Sequence, residues 1–330
     1  MKEKSLPERI PTSPPEILPL PEGIQRPLFS VMVPVYNCSK YLKEALESVL
    51  IQDLGEEVMQ IMVIDDASTD ADVSLMVQQI GQGRIGYIRQ PQNVGSLRNF
   101  ETCIHQAAGT LIHILHGDDR VLEGFYEKMI GLFTSYPESG AAFCRYISIN
   151  ENGEVVKYSA FNEESEGVLD NALDRFVLDQ PVQYASMVVK RAVYEALGAF
   201  HSVVYGEDWE MWVRIAKNYP IAYTPLYLSA YRKHLGSISK PKVNLGQNIN
   251  DFALAILNIE KQLPKNKKKL IAEKKYRCAD GCLHRAHLIL KDSGNKKAAK
   301  KLWQTSLQLN KTSLKLNVKR SFLFFKLLFH

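Results

Sequence analysis

The sequence predicts a doubly wound α/β fold, in which helices cover both faces of a mostly parallel sheet. From Leu28 onward, short apolar runs alternate with segments whose apolar residues recur at helical spacing, which is typical of successive βα units. The first run, LFSVMVPVY, is almost wholly apolar, as a strand buried on both faces should be. Beyond Lys240 the pattern turns almost wholly helical, which predicts a C-terminal helical extension.

The predicted elements follow one another in a regular order. After the first strand, Ser39 is expected to cap a helix. MQIMVID and GRIGYIRQ are the next two predicted strands, and Ser68 with Thr69 is expected to open the helix between them. LIHIL, AAFCRYISI and QYASMVVK predict three further strands, and helices are expected over residues 95–108, 121–136 and 207–218.

Composition divides the chain into three predicted parts. Residues 1–26 are rich in proline and lack periodicity, which predicts a flexible leader. A catalytic domain is expected over residues 27–240 and a basic helical region over 241–330. From Lys265 to the end there are 18 Lys and Arg against 3 Asp and Glu, a net charge of +15; the preceding residues have 23 against 33, a net charge of −10. Such a region is either a solvated helical face or the binding surface for an anionic partner.

The sequence also bears on the cellular compartment. No apolar run reaches the roughly 18 to 20 residues that span a bilayer, and residues 1–23 lack the apolar segment of a secretory signal. The five cysteines are an odd number in a long chain, which does not suggest a disulfide framework. We therefore expect a cytoplasmic protein.

Polar residues follow each of the first four predicted strands. They are PVYN at 34–37, DDASTD at 65–70, NVGSLRN at 93–99 and HGDD at 116–119. In open parallel sheets, ligands bind at the carboxyl ends of the strands. A single Asp there is more simply a helix N-cap, but four such stretches predict one ligand crevice, because unpaired carboxylates repel one another.

The residue types in this crevice suit a phosphorylated ligand. Asp118 and Asp119 form the kind of carboxylate pair that binds Mg²⁺ or Mn²⁺ together with substrate phosphates. Asp65 and Asp66 can accept hydrogen bonds from a base or a ribose, and Arg98 can pair with a phosphate or brace an acid. A nucleoside diphosphate bridged by a metal ion would satisfy all of these groups.

A second acidic cluster, GEDWEMWVR, lies at residues 206–214. Acids at a helix start favour the macrodipole even without a function. A carboxylate there can also take the proton of an acceptor hydroxyl, and Trp209 is expected to stack on an acceptor sugar. Farther on, YRKH at 231–234 and SIS at 237–239 place cationic and hydroxyl groups in a predicted loop, suited to a diphosphate leaving group.

These stretches, in this order, resemble family 2 glycosyltransferases of the GT-A fold over about residues 28–240. The resemblance rests on VMVPVYN, VIDDASTD, NVGSLRN, the Gly117-Asp118-Asp119 end of a D-x-D-type motif, and GEDWEMWVRIA followed by YRKH and SIS. It implies an inverting glycosyltransferase that uses a nucleotide-diphosphate-sugar, with uridine favoured by family frequency. It further implies an Mn²⁺ or Mg²⁺ ion and a glycan or lipid-linked acceptor.

The resemblance also implies residue roles. Asp208 would be the general base, Glu207 and Trp209 would bind the acceptor, Arg232 and His234 the diphosphate, and Asp118 and Asp119 the metal. The donor nucleotide would be bound by Pro34, Tyr36, Asn37, Asp65, Asp66, Asn93, Gly95, Arg98 and Asp118. One departure is His116, which stands where many relatives carry an acid. Histidine can ligate Mn²⁺ without adding negative charge, which leaves the number of protein ligands open.

The sequence disfavours two other functions. A sugar-phosphate nucleotidyltransferase usually carries a glycine-rich basic loop after its first strand, whereas this chain has VPVYNCSK. A non-catalytic binding module is disfavoured by the intact Glu207-Asp208 pair. GQGRIG at 81–86 lacks the strand before it and the helix after it that dinucleotide binding requires. Cys278, Cys282, His284 and His287 cannot converge on one zinc ion from a single helix.

The C-terminal stretch SFLFFKLLFH is apolar almost all round. On a helical wheel Lys315, Lys319 and Lys326 fall within about 40° of one another. The segment is therefore either a helix docked on the body with one wet stripe, or an interfacial anchor on an anionic membrane. We expect peripheral attachment to the inner face of the cell membrane, and no nucleic-acid partner.

Overall fold

The computed structural model describes residues 8–160, 163–234 and 247–329 of the chain, within which ten strands form one sheet. The strands are β1 (Phe29–Val35), β2 (Met59–Asp65), β3 (Gly86–Arg89), β4 (Leu111–Ile114), β5 (Arg120–Val121), β6 (Ala141–Ile149), β7 (Val155–Tyr158), β8 (Gly167–Val168), β9 (Met187–Lys190) and β10 (Ile221–Arg232). The helices are α1 (Ser39–Leu50), α2 (Val73–Gly81), α3 (Ser96–Gln106), α4 (Phe125–Ser135), α5 (Ala172–Leu178), α6 (Arg191–Leu197), α7 (Glu207–Asn218), α8 (Gln247–Gln262), α9 (Lys268–Ser293), α10 (Lys296–Leu309) and α11 (Leu314–Phe329).

The sheet has the strand order β3-β2-β1-β4-β9-β6-β10-β5. β1, β2, β3 and β4 run parallel, as do β6 and β10, whereas β9 is antiparallel to both of its neighbours. β1 is buried over its whole length, because its apolar side chains on both faces are covered. The predicted α/β fold with a mostly parallel sheet and C-terminal helices is confirmed.

Several predicted element boundaries are wrong. The cap position of α1 is Cys38 rather than Ser39, whose own N–H donates to the carboxylate of Asp70 at 2.9 Å. α2 begins at Val73 rather than near Ser68, since Asp72 accepts the N–H of Leu75 at 3.0 Å and so caps the helix there. Residues 121–136 are not all helical, and residues 183–190 begin with a short 3₁₀ turn before β9. The YRKH stretch is also not wholly a loop, because β10 continues to Arg232; SIS lies outside the described residues.

The chain forms two compact units. The first consists of Met1–Ala172, Pro181–Val204 and Arg214–His234 and holds the sheet; the second consists of Leu173–Gln180, Tyr205–Val213 and Leu235–His330 and is mostly helical. Each unit is therefore assembled from separate stretches of sequence. Among the described helices, none has the length and apolarity that crossing a bilayer requires. The expected domain boundaries at residues 27 and 240 stay predictions.

The N-terminal segment lies along the first unit from residue 8 onward. Its backbone carbonyls at Pro11 and Pro15 accept the N–H groups of Ser202 and Ala199, at 2.7 and 2.9 Å. Ile17 is buried, with 1% of its surface exposed. These are specific contacts, whereas a flexible leader would not be expected to make fixed contacts with the rest of the unit.

Ile17→Ala should lower the free energy of unfolding by roughly 2–5 kcal/mol, since it removes a buried side chain and leaves a cavity. Leu18→Ala is the matched control, because 60% of Leu18 is exposed; it should change stability by less than about 0.5 kcal/mol. Urea denaturation of both variants gives the comparison. Equal small effects would mean that the segment is not packed on the first unit.

Candidate functional site

Four strand ends meet at one edge of the sheet. The pairing of β1, β2 and β3 sets Val35 opposite Asp65 and Asp65 opposite Arg89. β4 pairs with the other side of β1 and ends at Ile114, just before His116. The polar stretches after all four strands therefore lie at the same edge, where open α/β sheets bind ligands.

Asp65 is fully buried at the end of β2 and is held by protein donors. It accepts hydrogen bonds from the Ser68 N–H at 2.9 Å and the Tyr87 hydroxyl at 2.8 Å, and it forms an ion pair with Arg89. Arg89 also donates to the carbonyl of Ser68 at 2.9 Å. Arg89 was absent from the predicted site, although its place at the end of the third predicted strand was a usable signal.

Asp66 shapes the loop after β3. Its carboxylate accepts hydrogen bonds from the N–H groups of Val94 and Gly95, at 2.6 and 3.0 Å, and from the side chain of Asn93 at 2.8 Å. Burial raises the pKa of Asp66, although these two N–H groups oppose the shift. The carboxylate of Asp66 thus connects three residues that were predicted to bind the donor nucleotide: Asp66 itself, Asn93 and Gly95.

The end of β1 and the turn that follows it are hydrogen-bonded to the loops after β2 and after β4. Asn37 has a φ of 49°, and its N–H donates to the hydroxyl of Ser68 at 3.0 Å. Pro34 is buried, and its carbonyl accepts the N–H of Gly117 at 3.2 Å. Tyr36, by contrast, is 47% exposed. Tyr36 is therefore the side chain of this turn that offers an aromatic face to a ligand.

Two arginines flank the loop after β3. Arg98 braces an acid, since it pairs with Glu101 at 2.6 Å within α3. Arg9 donates to the side chain of Asn93 at 2.5 Å, and a Cβ on Gly95 would lie 3.3 Å from its guanidinium. Arg9 was not predicted, because it reaches Asn93 from 84 positions away and no local pattern marks it.

His116, Asp118 and Asp119 form a group that suits a metal ion: one ligand atom of each lies within 4.8 Å of the others. The Nε2 atom of His116 is buried and has no hydrogen-bond partner within the described part of the chain. Its ring stacks on Phe100 and contacts Tyr184. Burial lowers the pKa of His116, against the opposing charge of Asp118, so the imidazole is neutral and keeps a lone pair. This donor set fits a divalent cation.

A buried arginine supports this group. The N–H of Arg232 donates to Asp119 at 2.8 Å, its Nε donates to the carbonyl of Asp118 at 2.9 Å, and its guanidinium pairs with Glu44 at 2.7 Å. Only 1% of Arg232 is exposed. Its guanidinium is already bound to protein oxygens in this structure, and the expectation that Arg232 binds a diphosphate stays a prediction.

The two adjacent carboxylates have opposite pKa shifts. Burial opposes ionisation of Asp118, but the hydrogen bond from His234 at 2.9 Å, together with the electrostatic interaction with the nearby His116 and His234 rings, prevails and lowers its pKa. Burial and the charge of Asp118 raise the pKa of Asp119 well above its usual value, against the N–H and charge of Arg232. A cation bound by both would relieve their repulsion. His234 thus belongs to the surroundings of the metal group.

Asp208 lies in the second unit, in the first turn of α7, and is 6% exposed. It accepts hydrogen bonds from the Trp209 N–H at 2.7 Å and from the side chain of Gln180 at 2.6 Å. Burial raises the pKa of Asp208 to about 6, although both hydrogen bonds oppose the shift. Glu207, beside it, is also buried. Gln180 was missed because nothing in the local sequence connects it with α7.

Trp209 is a core residue of the second unit. It is fully buried, and its indole N–H donates to the carbonyl of Phe176 at 2.5 Å. Its ring stacks on Phe252 at 4.7 Å, and the ammonium of Lys274 lies 4.7 Å from the ring centroid. Protein groups therefore cover the ring of Trp209 in this structure, and its expected stacking on an acceptor sugar stays a prediction.

Comparison with known proteins gives the class. The chain matches the sequence profile described as Glycosyl transferase family 2 over residues 30–197, about half of its length. The protein therefore belongs to glycosyltransferase family 2 and is an enzyme. It is 26% identical over 227 residues to the uncharacterized glycosyltransferase MJ1057 of Methanocaldococcus jannaschii, a match that covers 67% of this chain and 77% of that protein.

Solved structures confirm the GT-A fold. TarS 1-349 of S. aureus in complex with UDP-GlcNAc matches with a TM-score of 0.64 and 20% identity, over 90% of this chain and 86% of that one. The mannosyltransferase PcManGT of Pyrobaculum calidifontis, in complex with GDP-Man and Mn²⁺, matches with a TM-score of 0.58 and 17% identity, over 96% of this chain and 89% of that one.

Proposed function

We propose that this enzyme transfers a sugar from a nucleotide-diphosphate-sugar, a UDP-sugar, to a hydroxyl of a glycan or lipid-linked acceptor, with inversion at the anomeric carbon. The observation that carries the proposal is the group of His116, Asp118 and Asp119 at the edge where four polar strand ends meet. The UDP-GlcNAc and GDP-Man of the two structural neighbours support a nucleotide-sugar donor.

In this proposal the nucleotide binds across the turns that follow β1, β2 and β3. Tyr36 offers an exposed ring for stacking on the base. Asp65 and Asp66 hold these turns in place and, because a carboxylate has about four lone-pair sites, each can accept one more hydrogen bond from a base or ribose. The predicted donor contacts of Pro34, Asn37, Asn93, Gly95 and Arg98 are kept as part of the proposal.

Asp118 and Asp119 would hold Mn²⁺ or Mg²⁺, with His116 as a third ligand. When bound, the ion neutralises charge that develops on the leaving diphosphate. Mg²⁺ prefers oxygen ligands, whereas imidazole suits transition metals. We therefore expect Mn²⁺ to be preferred over Mg²⁺.

Asp208 is proposed as the general base. It takes the proton of the acceptor hydroxyl as that oxygen attacks the anomeric carbon; the bond from this carbon to the diphosphate oxygen breaks, and nucleoside diphosphate leaves. A pKa of about 6 supports this role, since such a carboxylate is ionised at neutral pH yet more basic than an ordinary one. Glu207 is kept in the proposal as an acceptor contact.

We also propose that the enzyme works at the inner face of the cell membrane and is held there peripherally by its basic C-terminal region. The net charge of +15 from Lys265 to the end supports this location, since basic segments are attracted to anionic leaflets.

Replacing Asp118 and Asp119 together by Asn should weaken UDP binding in the presence of Mn²⁺ by about tenfold or more, given that even the loss of outer-shell partners costs a metal site about 10- to 100-fold. Asn keeps the acceptor for the Arg232 N–H and removes the charge. Calorimetry with and without Mn²⁺ gives the metal-dependent part of the affinity. Glu56→Gln with Glu57→Gln, an exposed acidic pair before β2, is the control; equal behaviour of both pairs would move the metal site elsewhere.

His116→Asp should reduce the preference for Mn²⁺ over Mg²⁺, because it replaces a nitrogen ligand with an oxygen ligand. This preference can be measured without turnover. Mg²⁺ competes against Mn²⁺ in the presence of UDP, and the released Mn²⁺ is monitored by electron paramagnetic resonance. An unchanged preference in a folded variant would remove His116 from the ligand set.

Asp208→Asn should lower kcat by roughly 10²- to 10⁴-fold while the Kd for UDP stays constant, since Asn cannot accept the proton. In the native enzyme kcat/KM should fall as the pH drops below the Asp208 pKa of about 6, because protonation removes the base. That acidic limb should be absent from the residual activity of the variant. Glu210→Gln is the control, since this buried acid of the same helix binds Gln262 instead. Joint loss of UDP binding and turnover would make Asp208 structural.

A further inference from the structure

α11 has one face that packs inside the second unit. Leu316 and Leu323 are buried, and so is the guanidinium-bearing Arg320. Arg320 donates to the hydroxyl and the carbonyl of Ser306 in α10, at 2.9 and 2.6 Å. The helix is therefore docked, which was one of the two alternatives that the sequence left open.

The same helix presents a second apolar face that is exposed. Its described members are Leu314 (79% exposed), Val318 (65%), Phe322 (61%) and Phe325 (59%). At about 100° per residue these four side chains lie within about 80° of one another on the helix. We call this row the apolar stripe of α11. Single exposed apolar residues are ordinary, but a continuous row of them marks an interaction surface.

Lysines border the apolar stripe along one side. Lys315, Lys319 and Lys326 lie within about 40° of one another, next to the stripe on the helical wheel. The ammonium of Lys326 is 4.8 Å from the ring centroid of Phe322, and Lys319 pairs with Asp280. The cationic and apolar rows thus run side by side along a docked helix of 16 residues.

We infer that this face of α11 binds the surface of an anionic lipid bilayer. The apolar stripe enters the boundary between headgroups and acyl chains, and the three lysines contact the headgroups. At about 1.5 Å per residue the helix is shorter than the roughly 30 Å hydrocarbon core, so it lies in the plane of the surface. A protein partner fits less well, since lysine is depleted from protein interfaces.

The proposed membrane attachment thereby gains a defined surface, and this surface does not depend on the transfer chemistry. The test uses the full chain and co-sedimentation with vesicles of equal parts phosphatidylglycerol and phosphatidylcholine. Lys315→Gln, Lys319→Gln and Lys326→Gln combined should lower binding by roughly 100-fold, since each lysine near an anionic leaflet contributes about fivefold. The matched control removes the same charge from the exposed Lys296, Lys297 and Lys300 of α10 and should have a much smaller effect.

A second variant, Val318→Ser with Phe322→Ser and Phe325→Ser, tests the apolar stripe. It should lower vesicle binding by about tenfold or more, because buried apolar area supplies part of interfacial binding. Ile51→Ser with Leu75→Ser and Leu254→Ser, three exposed apolar residues elsewhere, is its control. UDP binding, measured by calorimetry on every variant, should be unchanged, so that loss of membrane binding and loss of the proposed function are distinguished.

Four outcomes would overturn the inference. The first is that the native chain does not pellet with anionic vesicles. The second is that it pellets equally with phosphatidylcholine alone at high salt. The third is that both triple lysine variants weaken vesicle binding equally, which would assign the binding to net charge instead of α11. The fourth is that the native chain self-associates, while the variant of the apolar stripe is monomeric and binds vesicles as the native chain does. The stripe would then be a contact between two copies.

Discussion

The two adjacent acids of the candidate metal site are held by one buried arginine, Arg232, through both its backbone N–H and its guanidinium. Asp118 and Asp119 are adjacent acids with little exposure, and two such carboxylates repel each other. Arg232 reaches the carbonyl of one and the carboxylate of the other, while Glu44 from α1 balances its charge. Since Arg232 closes β10, which lies between β6 and β5 in the sheet, the position of the two acids follows from strand pairing.

The first four strands could be predicted because each is a local pattern of apolar residues. β10 could not, because Pro225 interrupts its apolar run and its register with β6 shifts between Thr224 and Tyr227. Parallel partners that are distant in sequence leave no mark in a local window. For that reason Arg232 was expected in a loop, although it ends a strand.

The candidate site could be predicted as a collection of residue types, but not as a set of contacts. The sequence marks Asp66 and Trp209 as a ligand-binding acid and a stacking ring, because the residue types allow those roles. Their contacts come from elsewhere in the chain: the loop after β3 occupies some of the lone pairs of Asp66, and Phe252 with Lys274 covers Trp209. Burial depends on residues far along the chain, so no pattern around either residue reveals it.

The path of the chain limits how enzymes of this kind can exchange parts. Residues 173–180 and 205–213 belong to the same compact unit as the C-terminal helices. A chimera joined near residue 240 would set the Trp209 of one parent against the Phe252 and Lys274 positions of the other. Recombination can therefore preserve the environment of Asp208 only when those positions are inherited together, even though they are widely separated in the gene.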